Sequence, residues 1–254
     1  MKHARVLYQG TTLDATESDG QLLLADGRLV PFDAVTWLPP LAPTPRPRTI
    51  LALGLNYADH AKELEFKAPD EPLVFLKGES ALTGHRQVTK RPDGVEFMHY
   101  ECELTVVIGR TTKNVKRANA YDHVGGYTVA NDYAIRDYLE NWYRPNLRVK
   151  NRDATTPLGP WRVDAADMPN PMALALHTTV NGKVTQSGNT RDMIFDVPFL
   201  IEYFSSFMTL QPGDLILTGT PDGVVDCRAG DVIITEIEGI GALVNTIQQS
   251  LTPT

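Results

Sequence analysis

At 254 residues with 31 acidic against 24 basic side chains, the chain carries a formal charge of −7, which argues against a broad nucleic-acid-binding surface. A hydrophobic share of 42% supports a sizeable core, yet no apolar run approaches the roughly 20 residues that a membrane span needs. Two cysteines, Cys102 and Cys227, make neither a disulfide framework nor a zinc site, and no apolar stretch follows Met1-Lys2-His3-Ala4-Arg5, so a reducing cytoplasmic setting is expected.

In chain order, β-type runs at 5–8, 21–25 and 29–32 alternate with the turn dipeptides Asp19-Gly20 and Asp26-Gly27. Five prolines between Leu38 and Arg48 then predict an extended connector. Residues 1–48 are therefore read as a small β-rich N-terminal domain with its linker, and 49–254 as the main domain. Short β-branched runs punctuated by Gly, Pro and Asp predict strands over 50–55, 73–77, 104–108, 126–130, 174–180, 215–218 and 231–237. Helices are predicted over 59–65, 118–121, 136–142 and 197–207, and Asn181-Gly182 suits a type I′ hairpin turn. The expected class is α+β, mainly β.

Within that frame, Glu101-x-Glu103 stands out. On a strand the two carboxylates share one face, where they repel unless a cation or proton is shared. Either a metal resolves that cost or the face is solvated. Asp132, where the run from Tyr127 meets a polar turn, offers a third ligand or simply forms part of the turn. An all-oxygen set favours Mg²⁺, Mn²⁺ or Ca²⁺ over zinc. His60 and Glu63 lie one helical turn apart, as a general acid/base pair or as a surface pair. Lys77 and Lys150 are each a carboxylate-positioning or proton-exchanging lysine, or a solvated one. The Gly-rich turn 217–223 presents backbone N–H groups and the Thr220 hydroxyl to an anion, though it lacks the ending of a P-loop. Arg136, Arg144, Arg148, Lys150 and Arg152 cluster within 17 residues, either around a small polyanion or paired with Asp137, Glu140 and Asp153.

Taken together, Gly54-Leu-Asn-Tyr-Ala-Asp-His60, Glu101-x-Glu103, Asn131-Asp132, Pro157-Leu-Gly-Pro160, Asn181-Gly182 and Thr218-Gly-Thr-Pro221 resemble the fumarylacetoacetate hydrolase family over about 50–247. The resemblance implies a mixed β roll around Mg²⁺ or Mn²⁺ held by Glu101, Glu103 and Asp132. It also implies a lid helix carrying His60 and Glu63, an active-site Lys150, and Thr220 on the substrate carboxylate. Glu71-Pro-Leu-Val-Phe-Leu-Lys77, Met98-His-Tyr-Glu101 and the run from Asn131 to Lys150 are similar to one branch of the family. That branch acts in 4-hydroxyphenylacetate breakdown, decarboxylating 5-oxopent-3-ene-1,2,5-tricarboxylate and isomerising 2-hydroxyhepta-2,4-diene-1,7-dioate. The chain resembles the C-terminal half of such a two-unit enzyme, expected here as a free subunit. Arg136, Tyr143, Arg144, Lys77 and Gln186 are the further substrate-binding candidates, with Arg136 and Arg144 for the distal carboxylates. A homodimer or larger assembly is implied, or pairing with a homologous subunit. The alternatives are an acylpyruvate hydrolase or oxaloacetate-type decarboxylase of the same family, and a non-catalytic partner subunit.

Overall fold

The computed structural model describes residues 1–58, 70–139 and 146–250. The N-terminal segment supplies strands β1 (Lys2–Tyr8), β2 (Thr11–Ser18), β3 (Gln21–Leu24), β4 (Leu29–Val30) and β5 (Thr36–Leu38). Then follow β6 (Ile50–Gly54), β7 (Leu73–Lys77), β8 (Leu82–Thr83), β9 (Val88–Arg91), β10 (Met98–His99), β11 (Cys102–Ile108), β12 (Val124–Asn131) and β13 (Ala134–Ile135). After the single-turn helix α1 (Leu147–Lys150) come β14 (Thr156–Asp164), β15 (Ala175–Val180), β16 (Lys183–Asn189), helix α2 (Val197–Phe207), β17 (Leu215–Leu217), β18 (Val232–Ile237) and β19 (Gly241–Gln249). Among the described residues no helix is long and apolar enough to cross a membrane.

These strands form a mixed twelve-stranded sheet ordered β4-β3-β2-β1-β14-β12-β11-β17-β6-β7, with β5 on β1 and β8 on β14. A five-stranded sheet, β16-β15-β18-β19-β9, shares the main hydrophobic core with it, placing Leu176, Ile237 and Leu243 beside Leu104 and Val106. The mainly β, α+β class expected from the sequence is the class observed. All seven residues of β11 are buried, because this strand is central in its sheet and covered on both faces. The Asn181-Gly182 turn has the two positive φ values, 51° and 80°, that a type I′ hairpin requires. Helix α2 begins where Asp196 accepts the Phe199 N–H (2.9 Å) and buries Val197, Leu200, Ile201 and Phe204 on one face.

Two predicted helices resolve otherwise. Residues 117–123 form a 3₁₀ segment, and 136–138 form a 3₁₀ turn in place of the first turn of a helix. The predicted helix 59–65 and residues 140–142 lie outside the described residues. Strands β2, β9, β14 and β19 were not expected. β14 contains Pro157, Gly159 and Pro160, which read as a breaker, and β2 is mostly solvent-facing with Ala15 its one buried residue.

The N-terminal strands continue the main sheet through β1 on β14, with Lys2 opposite Val163 and His3 opposite Arg162. Trp37 anchors the junction. It packs edge-on against Trp161 (5.3 Å) and His85 (4.9 Å), and its indole N–H donates to the Phe32 carbonyl (3.0 Å). Trp37→Ala leaves a cavity at that seam and is expected to cost about 3–5 kcal/mol. The melting temperature should fall on the order of 10 °C in a calorimetric scan; an unchanged value would show that the seam does not carry stability.

Candidate active site

Antiparallel pairing of β11 with β12 sets Cys102 opposite Asn131 and Glu103 opposite Ala130. One step beyond the ladder the Asp132 N–H donates to the Glu101 carbonyl (2.9 Å), while the Glu101 N–H donates to Asn131 Oδ1 (3.1 Å). Glu101 thus stands just outside β11 and Glu103 within it, yet one carboxylate oxygen from each of Glu101, Glu103 and Asp132 lies within 4.8 Å of the others. All three are buried.

Each carboxylate has one oxygen tied to the protein. Glu103 Oε2 accepts the Gly219 N–H (2.7 Å), Asp132 Oδ1 accepts from Lys77 Nζ (2.6 Å), and Glu101 Oε2 accepts from Lys150 Nζ (2.5 Å). The second oxygens are less engaged. Among the described residues Glu103 Oε1 and Asp132 Oδ2 have no hydrogen bond, the latter lying 3.0 Å from Lys150 Nζ as an ion pair, and Glu101 Oε1 is 3.7 Å from His99 Nδ1.

Lys150, at the end of α1, also donates to the Asp132 carbonyl (3.0 Å), and its own backbone carbonyl accepts from Lys77 Nζ. Phe75 and Lys77 share the inward face of β7, so the Phe75 ring lies under both ammonium groups, at 6.0 Å from Lys77 Nζ and 5.7 Å from Lys150 Nζ. Burial pushes the Glu103 carboxyl well above the ordinary range, and neighbouring Asp132 and Glu101 push it further. Burial pulls Lys77 down, with Asp132 opposing and Lys150 reinforcing that shift. For Lys150 burial acts in the same direction, but Asp132, Glu101 and Glu103 outweigh it and hold the ammonium above its usual range.

The fourth wall is the Thr218–Pro221 turn. Asn56, just past β6, donates to the Thr218 and Phe195 carbonyls (2.8 and 3.0 Å) and accepts the Phe195 N–H (2.8 Å). Gly219 has φ +87°, and a Cβ there would sit 2.8 Å from the Asn56 Cβ; only glycine lets its N–H reach Glu103. Thr220 and Gln186 are buried and bonded to each other at 2.9 Å.

The structure therefore gathers Glu101, Glu103, Asp132, Lys77 and Lys150 in one place, with Thr220 next to the Glu103-binding amide. His60, Glu63, Tyr143 and Arg144 lie outside the described residues. The described members of the basic cluster diverge. Lys150 joins the carboxylates, Arg136 Nε donates to His99 Nε2 (2.8 Å), and exposed Arg148 lies 3.8 Å over the Tyr138 ring. Asp137 does not pair with them; it accepts the Glu96 and Phe97 N–H groups (2.7 and 2.9 Å). Because Arg136 can only donate, His99 carries its hydrogen on Nδ1, which donates to the Tyr100 carbonyl (3.0 Å). Sequence reasoning missed His99, Phe75 and Asn56; the Gly219 N–H belongs to the turn expected to hold an anion, and the anion it holds here is the Glu103 carboxylate. The Phe-x-Lys alternation of β7 was the available signal for Phe75. Cys102 is a buried thiol whose pKa burial drives upward, as befits a core residue.

A family described as fumarylacetoacetate (FAA) hydrolase, C-terminal, matches residues 49–248. The chain belongs to the fumarylacetoacetate hydrolase family. A 4-hydroxyphenylacetate degradation bifunctional isomerase/decarboxylase from Salmonella dublin is 54% identical over 243 residues, covering 96% of this chain and 54% of that protein. The chain spans about half the length of that relative. Among solved structures, a 5-carboxymethyl-2-hydroxymuconate delta-isomerase from Mycobacterium smegmatis superposes with TM-score 0.86 at 36% identity, covering 99% of this chain and 100% of that one. A 2-hydroxyhepta-2,4-diene-1,7-dioate isomerase from Mycobacterium marinum gives TM-score 0.85 at 34% identity, with 99% and 100% covered. A buried all-carboxylate triad suits the metal dependence general in this family.

The raised Glu103 pKa has a definite sign. Between the unfolded value near 4.5 and the higher folded value the native state binds the extra proton, so metal-free stability falls as pH rises through that window. Glu103→Gln should flatten that slope in EDTA melts. At pH 8 it should raise the metal-free melting temperature by roughly 2–8 °C, or about 1–2 kcal/mol, while abolishing stabilisation by Mg²⁺. An unaltered EDTA slope in Glu103→Gln would mean that another group titrates.

Proposed function

We propose that the chain catalyses metal-dependent decarboxylation of 5-oxopent-3-ene-1,2,5-tricarboxylate and isomerisation of 2-hydroxyhepta-2,4-diene-1,7-dioate in 4-hydroxyphenylacetate breakdown. The observation that carries the reading is the buried Glu101–Glu103–Asp132 triad braced by Lys77 and Lys150, in a chain 54% identical to a named isomerase/decarboxylase. The donor set fits Mg²⁺ or Mn²⁺: it is all oxygen, and the buried Glu103 Oε1, which has no hydrogen bond among the described residues, is the kind of atom that a hard cation satisfies. Glu101, Glu103 and Asp132 would hold the ion, and bound there it would supply Lewis-acid withdrawal of charge from the substrate's 2-oxo group.

The rest falls to the chain's own side chains. Thr220 donates a hydrogen bond to the substrate carboxylate. Loss of CO₂ leaves its bonding electron pair in the conjugated 2-oxo system, and a proton must then reach carbon. Lys150 holds a proton at Nζ against burial, which makes it a proton donor rather than a base. His60 with Glu63 is the second proton carrier, needed to take a proton from one carbon and return it to another. Arg136, Arg144 and Tyr143 meet the distal carboxylates, and Lys77 orients Asp132. Pairing with another copy or with a homologous subunit belongs to the same reading. Residues 1–48 are read as a module distinct from the catalytic portion.

Carbon dioxide release and ultraviolet product analysis with the tricarboxylate test this directly. Wild type with Mg²⁺ should turn over, and EDTA or Glu103→Ala should lower the rate by at least about 10³, as expected for several kcal/mol of lost charge stabilisation. Pyruvate plus a shorter acid as products would instead indicate acylpyruvate hydrolysis. No turnover under any of these conditions would refute the assignment. Lys150→Met should lower kcat by roughly 10²–10⁴ without weakening Mg²⁺ binding, because it removes a proton donor and a competing positive charge together. Parallel loss of Mg²⁺ affinity would make Lys150 a structural brace of the triad instead.

A further inference from the structure

Gln186 lies on β16 with 2% of its surface exposed, and its amide is fully engaged inside the protein. Nε2 donates to the Pro221 carbonyl (2.8 Å) and to Thr220 Oγ1 (2.9 Å), while Oε1 accepts from Thr178 Oγ1 (3.0 Å) on the paired strand β15. A backbone carbonyl can only accept. The amide nitrogen must therefore face Pro221, which removes the usual uncertainty over which end of a glutamine points where. Both hydrogens of that nitrogen are then committed, one to Pro221 and one to Thr220.

Thr220 Oγ1 consequently receives a hydrogen bond from Gln186 and cannot return one along the same line. Its own hydrogen must point elsewhere, and among the described residues no acceptor takes it. Thr220 is 3% exposed and follows Gly219, whose N–H holds Glu103 Oε2 at 2.7 Å. A buried hydroxyl with its acceptor side occupied and its donor side open is matched to an anionic oxygen.

We infer that Gln186 is a positioning residue that locks the Thr220 hydroxyl as a hydrogen-bond donor to a ligand carboxylate, and that it makes no ligand contact of its own. The inference rests on the reading of Thr220 as a carboxylate-binding side chain. It differs from the sequence expectation, which placed Gln186 itself on the substrate. A direct contact would need an amide hydrogen that Gln186 does not have to spare.

The test is a double-mutant cycle on the full chain loaded with Mg²⁺, titrating oxalate calorimetrically as the carboxylate probe. Thr220→Val should weaken oxalate about tenfold or more, as for loss of a hydrogen bond to a charged group, and Thr220→Ser should stay close to wild type. Gln186→Met frees the hydroxyl to rotate and should weaken oxalate severalfold, with Mg²⁺ affinity unchanged. Gln186→Glu is the second variant. Its carboxyl, ionised or with its proton on Pro221, accepts from Thr220 and turns the hydroxyl inward, so affinity should drop to the level of Thr220→Val. In the Thr220→Val background neither Gln186 substitution should weaken oxalate further. If the Gln186 effect is equally large without the Thr220 hydroxyl, Gln186 acts on the ligand directly or through the Pro221 turn, and the inference fails while the role of Thr220 stands. If Thr220→Val binds oxalate as tightly as wild type, or wild type does not bind it, the carboxylate reading of Thr220 fails and takes the inference with it.

Discussion

Three buried carboxylates face two buried ammonium groups, and that balance governs the architecture around them. Formally the set sums to one negative charge, in a place where an uncompensated charge is costly. The raised pKa of Glu103 is the metal-free answer, since a proton on that carboxyl brings the set to neutrality. A divalent cation in place of the proton reverses the sign and leaves one net positive charge. Such a site repels cations in excess of the first and attracts an anion, so on the proposed reading loading and substrate recruitment are linked through electrostatics.

The scaffold keeps this balance in register. β11 is buried along its whole length, and its ladder with β12 fixes how far Glu101 and Glu103 stand from Asp132. Parallel pairing of β17 with β6 brings the Thr218–Gly219 turn beside Asn56, whose amide clamps it at 2.8 Å. Every carboxylate has one oxygen fixed by a donor on a different element: Gly219 after β17, Lys77 on β7, Lys150 on α1. The fixing groups come from three directions, and they hold the carboxylates so that one oxygen of each lies within 4.8 Å of the others without help from a ligand.

How much of this the sequence carried depends on the kind of signal. The Glu-x-Glu pair and the Asp at the end of its neighbour strand were legible because alternation and strand-end position are local properties. So were α2 and the Asn181-Gly182 hairpin. The supporting groups were hidden because their roles are non-local. Asn56 reaches Phe195 across 139 residues, and Phe75 matters only because α1 folds over β7. β14 was masked by its own Pro157 and Pro160, which tertiary pairing with β1, β12 and β8 accommodates. The clustering of basic residues between 136 and 152 suggested one polyanion pocket. In the fold, linear proximity separates into Arg136 on His99, Arg148 on Tyr138 and Lys150 among the carboxylates.

Lys150 shows why residue type matters here beyond charge. A compact ammonium places its donors within one small volume: Lys150 Nζ donates to Glu101 Oε2 and to the Asp132 carbonyl, and it stands 3.0 Å from Asp132 Oδ2 as an ion pair. A planar guanidinium has no comparable way to address three points around a tetrahedral nitrogen, and it does not release a proton near neutrality. The carboxylates that raise the Lys150 pKa are the same ones that a cation would neutralise. On the proposed reading, loading the triad therefore withdraws part of the field that holds the proton at Nζ.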